Sequence, residues 1–233
     1  DRIYVQLKGY EKEIEQSNLL IAAQEAVKGS CKSEIKHMSS QQTETFLEAS
    51  ANNARFPTYE VANVSDIYKR YNYNCDNLVS IVRDILEIEA PLSEDWLLRR
   101  IVRFFHREKV TSFVRDSYEQ QMKECRQRGI IRRNCFLYLE NGGEIHFRKP
   151  GDRDDTRRSI EQISPEELSD GMIEILKQNG SVSRIELYRL LAGQCGVSRV
   201  GREIEETLDS VLKSIKKKGL ISIEGEQVTI RTK

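Results

Sequence analysis

The chain contains a diverged copy of part of itself. Moving Asp84–Ile131 forward by ninety positions lays it on Glu174–Ile221 without a gap. Ile85-Leu86 meets Ile175-Leu176, Ser93 meets Ser183, Leu97 meets Leu187, Arg99 meets Arg189, Lys123 meets Lys213 and Gly129 meets Gly219. Where identity is lost, side-chain class is mostly kept: Leu92 faces Val182, Val114 faces Ile204, Met122 faces Leu212 and Arg128 faces Lys218. An ungapped register across three helix-like segments predicts one small fold used twice.

The spacing of apolar residues says what that fold is. In the first copy, Leu78, Ile81, Val82, Ile85 and Leu86 form a one-sided helical stripe that stops before Pro91. Ser93 has cap chemistry for a helix over Glu94–Phe105, since its hydroxyl can accept a hydrogen bond from a free amide. A third helix over Thr111–Arg128 would bury Val114, Tyr118, Met122 and Cys125, and Gly129 would close it. A strand opens at Ile130-Ile131 and continues through Phe136–Leu139. Asn141-Gly142-Gly143 is the expected turn, with Ile145–Arg148 as the returning strand. In the second copy, Ser164-Pro165-Glu166-Glu167 reads as a helix start with a capping box. Helices over 165–178, 184–193 and 200–218 follow, then a hairpin of Leu220–Ile223 and Gln227–Arg231. Three helices and a hairpin make a winged helix-turn-helix, in which the hairpin's apolar face closes the helical core.

The expected fold class is therefore mainly α with small β-hairpins: tandem winged helix-turn-helix repeats preceded by a helical N-terminal region. The boundaries are 1–74 for that region, 75–149 for the first unit, 150–163 for a charged linker and 164–233 for the second unit. Apolar residues at Ile3, Leu7, Tyr10 and Ile14 carry the N-terminal helical stripe. The role of this region is not legible.

Charge narrows the function. Net charge is zero, with 37 basic and 37 acidic residues, yet Trp96–Arg133 holds eleven Arg or Lys against four acids. A local surplus of this kind can leave an electrostatic footprint on a neutral chain. In helix-turn-helix units the second helix of the pair enters the major groove while the wing and helix ends touch phosphates. In the first copy that helix presents Lys109, Ser112, Arg115 and Lys123, and Arg126, Arg128, Arg132 and Arg133 run on into the base of the wing. In the second, Arg199, Arg202 and Lys216-Lys217-Lys218 stand against Glu203, Glu205, Glu206 and Asp209. Acids along a would-be recognition helix favour a protein-facing role there.

Other chemistry finds little support. No stretch approaches the roughly 20 apolar residues of a membrane span. The chain starts at Asp1 with no visible targeting signal and reads as a portion of a longer protein. Cys31, Cys75, Cys125, Cys135 and Cys195 are odd in number and widely spaced, as expected of free thiols in a reducing, cytoplasmic compartment. His37, His106 and His146 lack partners at metal-ligand spacing, so no metal or cofactor is expected. Phosphate-loop, zinc-protease and nucleophile-elbow motifs are missing. Trp96, Phe104, Phe105 and Phe113 recur at near-helical spacing and are expected in the core.

Glu89-Ala90-Pro91-Leu92, then Leu97-Leu98-Arg99-Arg100-Ile101, and Arg148 after the hairpin form one set of motifs. Ile163-Ser164-Pro165-Glu166-Glu167 and Ser198-Arg199-Val200-Gly201-Arg202-Glu203-Ile204 form another. Over about Leu78–Lys218 these stretches resemble a C-terminal domain of unknown function of very large bacterial superfamily-one helicases, many of which also carry a Vsr-like nuclease domain. The first copy departs from that pattern at Thr111, which stands in the place of Gly201. The resemblance implies an accessory module of an ATP-dependent helicase in defence against foreign DNA, with motor and nuclease chemistry elsewhere.

The expectation is a non-catalytic nucleic-acid-binding module that grips DNA phosphates through the first unit. Its contact residues would be Lys109, Ser112, Arg115, Lys123, Arg132 and Arg133, with Arg199 and Arg202 in the second unit. The alternative is a protein-interaction scaffold that docks other domains of the parent chain or a partner through its wings and acidic third helix.

Overall fold

The computed structural model describes residues 56–71, 78–104 and 109–231, the Phe104 side chain excepted. Most of the expected N-terminal helical region lies outside these residues, as do Cys31, Cys75, His37, His106 and Phe105. The described residues are mainly helical, with seven α-helices and two small three-stranded antiparallel sheets. They belong to one compact unit that runs from Asn52 to Lys233.

The first half begins with α1 (Val64–Arg70), capped by Asn63, and α2 (Leu78–Glu89). A short β1 (Leu92–Ser93) leads into α3 (Glu94–Phe104) and then α4 (Ser112–Gln121). The expected stripe of α2 is inward: Ile81, Val82, Ile85 and Leu86 are sealed from solvent. Thr111 caps α4, its Oγ1 accepting from the Val114 amide at 3.3 Å. At Met122 the helix tightens into a 3₁₀ turn, Met122–Arg128, and ends at Gly129 with φ 70°. Residues three apart eclipse in a 3₁₀ helix. Buried Met122 and Cys125 therefore share one ridge, and exposed Lys123 and Arg126 share the next.

The first hairpin corrects one expectation. β2 (Ile130–Arg133) pairs with β3 (Phe136–Leu139), so the turn is Asn134-Cys135 and not Asn141-Gly142-Gly143. Both turn residues have positive φ, 50° and 63°, the conformation of a two-residue type I′ turn. β1 adds on the far side, giving the order β1-β3-β2. A left-handed backbone strains a residue with a Cβ by about 1–2 kcal/mol. Cys135→Gly is thus expected to raise the unfolding free energy by roughly 1 kcal/mol in urea titration, since Cys135 is exposed and loses no packing.

The second half has α5 (Pro165–Asn179), β4 (Ser181–Ser183), α6 (Arg184–Gln194) and α7 (Arg202–Lys217). The hairpin β5 (Ile221–Glu224) and β6 (Gln227–Ile230) completes a sheet of order β4-β6-β5. Ser164 caps α5 as expected, and Ser183 caps α6. In each half a hairpin-turn carbonyl accepts from the first amide of the helix that follows β1 or β4. Glu94 N donates to Cys135 O at 3.0 Å, and Arg184 N to Glu226 O at 2.9 Å.

Each half has its own apolar core, but the chain between them is not a solvated linker. Ile145–Arg148 is not a strand. Instead Phe147 is fully buried in the second core, edge-on to Phe56 at 4.8 Å. Lys149 forms a parallel bridge with Thr58, so residues 57–59 strap across the start of the expected linker. Within 150–163, Thr156, Arg158, Ile160 and Ile163 are buried. A capping box joins Ser159 to Gln162. The box expected at Ser164 does not form, because the Glu167 carboxylate is engaged elsewhere.

That engagement ties the halves together. Glu167, fully buried, accepts from Arg148 Nε at 2.8 Å and from Arg158 at 2.8 and 3.1 Å. Arg148 Nη2 reaches back to the carbonyls of Glu89 and Pro91 at 3.1 and 3.2 Å. Glu89, also fully buried, accepts from Arg100 at 2.5 and 2.6 Å, from the Ala62 amide at 2.9 Å and from the Tyr59 hydroxyl. The Tyr59 ring lies under both guanidinium groups, 3.8 Å from Arg158 and 4.9 Å from Arg148. Burial and the Glu89 carboxylate push its hydroxyl far above the usual phenol range. Two carboxylates thus meet three guanidinium groups, each with hydrogen-bond partners, which is the condition for holding charge inside a protein.

Candidate nucleic-acid interface

The cations named from the sequence divide into those already neutralised by the protein and those turned outward. Arg132, on β2, is the clearest of the first kind. Its guanidinium donates four hydrogen bonds of 2.7–2.9 Å, two to Glu94 on α3 and two to Glu119 on α4. It also lies over the Tyr118 ring at 5.9 Å. These bonds hold the Glu119 carboxyl below its ordinary range and secure the Arg132 charge. Forked contacts to two carboxylates use the geometry that a phosphate would need. Arg132 is therefore a brace that pins the hairpin to α3 and α4, with the guanidinium named for phosphate contact already occupied by two carboxylates. Glu119 spends its charge there instead of on Lys123, its neighbour one helical turn away.

Arg115 lies 3.5 Å from Asp95, which also holds Arg99 at 2.8 Å. Arg133 stacks on Tyr138 at 5.0 Å and approaches Glu166 at 3.6 Å, while Tyr138 donates to Glu166 at 2.7 Å. Arg202 donates to Glu206 at 2.8 Å within α7. Each of these guanidinium groups is more than half exposed, so water screens the pairing, but each starts with an anion beside it.

The second kind comprises Lys109, Lys123 and Arg199, together with Arg126 and Arg128 on the 3₁₀ turn. All five are exposed and have no ion-pair partner among the described residues. Ser112 is exposed at the first position of α4 and does not cap it. Lys123 and Arg126 project from the eclipsed ridge next to the buried Met122–Cys125 ridge, and Arg128 continues the latter ridge by spacing but is exposed at the helix end. Phe113, expected in the core, is 75% exposed beside Ser112. It borders an apolar hollow of about 170 Å³ with Leu98 and Tyr118. Trp96 is half-buried against the first core.

The structure offers few chemical groups besides charge. Among the described residues no cluster of His, Cys, Asp or Glu could hold a metal ion, and no helix is long and apolar enough to cross a membrane. Burial pushes the Cys195 thiol up to about 12. His146 faces Glu144 and Asp170, each at 3.8 Å, on a cleft of about 310 Å³ with Phe56 and Phe147. The signal that separates braced from outward cations was the acid pair Glu94-Asp95 at the start of α3. Its partners Arg132 and Arg115 lie 38 and 20 residues away, beyond any local pattern.

Compared with protein-family models, curated proteins and solved structures, the chain matches none.

Proposed function

We propose that the two halves are tandem winged helix-turn-helix units of one duplicated sequence, and that the chain is a non-catalytic module that binds DNA through its phosphates. In support of the duplication, α3 and α6 have bounds ninety residues apart, and the sheet orders correspond strand for strand. Gly129 and Gly219 end their helices with φ of 70° and 74°. The helicase-associated context implied by the resemblance is part of the same proposal.

The observation that carries the binding reading is the outward group of Lys123, Arg126 and Arg128 at the end of the third helix, which shares its turn with Glu124 but has no ion-pair partner among the described residues. Positive side chains without protein partners are what a phosphate backbone recruits, because each contact releases condensed counterions. The 3₁₀ turn adds no base-reading geometry, so the contact is independent of sequence.

The experiment is fluorescence anisotropy with the 233-residue chain and a labelled mixed-sequence duplex. Lys123→Gln/Arg126→Gln/Arg128→Gln is expected to lower the slope of log affinity against log salt by about 2.7, at ~0.9 per phosphate contact. Arg132→Gln is expected to leave that slope unchanged. The opposite ranking, or a wild type that ignores the duplex at 50 mM salt, would remove this reading.

A further inference from the structure

We infer that the second half carries its own phosphate-binding surface, formed by Lys213, Lys216 and Lys217 on the outward side of α7. This rests on the nucleic-acid reading above and extends it to the half whose acids favour a protein-facing role from sequence alone. α7 buries Leu208, Val211, Leu212 and Ile215, which fixes its inward stripe. At 100° per residue, Lys213 and Lys217 fall one turn apart on the side opposite that stripe, and Lys216 stands at its flank. All three are exposed, with no ion-pair partner among the described residues.

The acids that offset these lysines in composition do not offset them in space. Glu203, Glu205, Glu206 and Asp209 occupy the first half of the helix, and the lysines occupy the second. Glu206 is engaged by Arg202, and Asp209 accepts the Tyr188 hydroxyl and lies 3.8 Å from Arg184, not on Lys213. Lys216 stands about 10 Å along the axis from Asp209 at 1.5 Å per residue. That exceeds the ~8 Å Debye length of physiological salt. Lys213 is closer, about 6 Å along the axis from Asp209, but that carboxylate is engaged by Tyr188 and Arg184.

A phosphodiester backbone is the partner this chemistry fits. Lysine is a compact point charge with no forked geometry, suited to phosphate and indifferent to base identity. The outward side of α7 holds Glu206 and Asp209 in line with the lysines, Ser210 and Ser214 beside them, and no apolar side chain that could insert into a lipid surface. By the ninety-residue offset, Lys213 and Lys216 correspond to Lys123 and Arg126, which places the same charges at the same helix end in both halves.

The test uses the full chain, a fluorescein-labelled 30-bp mixed-sequence duplex, and KCl from 50 to 200 mM. Lys213→Gln/Lys216→Gln/Lys217→Gln is expected to lower the salt slope by about 2.7, so that over this range its affinity falls roughly 40-fold less than that of the wild type. Lys213→Arg/Lys216→Arg/Lys217→Arg should restore the wild-type slope. A charge-matched control, Arg83→Gln/Arg99→Gln/Arg189→Gln, removes three exposed arginines that already have carboxylate partners and should leave the slope unchanged. If the lysine triple titrates like wild type while the Lys123/Arg126/Arg128 triple weakens, this inference is overturned and the first reading stands. Labelled polyglutamate bound as tightly as the duplex would overturn it in favour of an acidic protein partner. A wild type that does not bind the duplex overturns both.

Discussion

Glu167→Ala should destabilise the protein by about 3–5 kcal/mol, the usual loss when one partner of a buried ion pair is removed. The size follows from what remains. Arg158 and Arg148 are nearly sealed from water and share no other carboxylate, so deleting Glu167 leaves two cations with backbone carbonyls and the Tyr59 ring. Urea unfolding followed by circular dichroism measures this directly. A loss below about 1 kcal/mol, the range of exposed pairs, would mean that water already reaches these arginines. Replacing Glu167, Arg148 and Arg158 together by apolar residues of similar volume should cost much less than the single change, because no charge is then stranded.

Phe147→Ala carries the second large effect, about 3–5 kcal/mol. The ring is fully buried between Phe56 and α5, and its removal opens a void that rigid neighbours cannot fill. Gly171 makes the prediction sharper. A Cβ at that position would stand 3.0 Å from the Phe147 ring and 2.7 Å from Leu191 Cδ1. Gly171→Ala should therefore destabilise the wild type despite alanine's helix preference, by about 1 kcal/mol or more of overpacking. In the Phe147→Ala background part of that clash is gone, so the double mutant should be more stable than additivity predicts. Strict additivity would mean that the two sites do not touch.

Local rules made much of this fold legible. The stripe from Leu78 to Leu86, the cap at Ser164, the terminal glycines 129 and 219 and the second hairpin all depend on neighbours within a few residues. The first hairpin was misread because Asn141-Gly142-Gly143 carries stronger turn chemistry than Asn134-Cys135, and cysteine has no preference for positive φ. β3 is fixed as well by its pairing with β1, where Leu92 meets Leu137 and Ser93 meets Phe136, and that contact is not local. The stretch 150–163 reads as a charged linker because Arg158 and its neighbours are charged. Burial of that arginine depends on Glu167, Tyr59 and the Arg148 carbonyl, a meeting of separate segments that no single window contains.

The candidate surface is legible only in part, for a related reason. Counting Arg and Lys marks a basic region, but a count cannot tell a brace from a free charge. Arg132 is saturated by Glu94 and Glu119, whereas Lys123 and Arg126 stand clear because a 3₁₀ turn keeps them off the ridge that packs. The same distinction separates Arg202 from Lys213, Lys216 and Lys217 on α7.

The salt dependence of duplex binding by the intact chain tests the central claim most directly. With Lys123, Arg126, Arg128, Lys213, Lys216 and Lys217 all on phosphates, log affinity should fall against log salt with a slope of about −5, at ~0.9 per contact. A slope near zero, or no binding at 50 mM salt, would contradict the account.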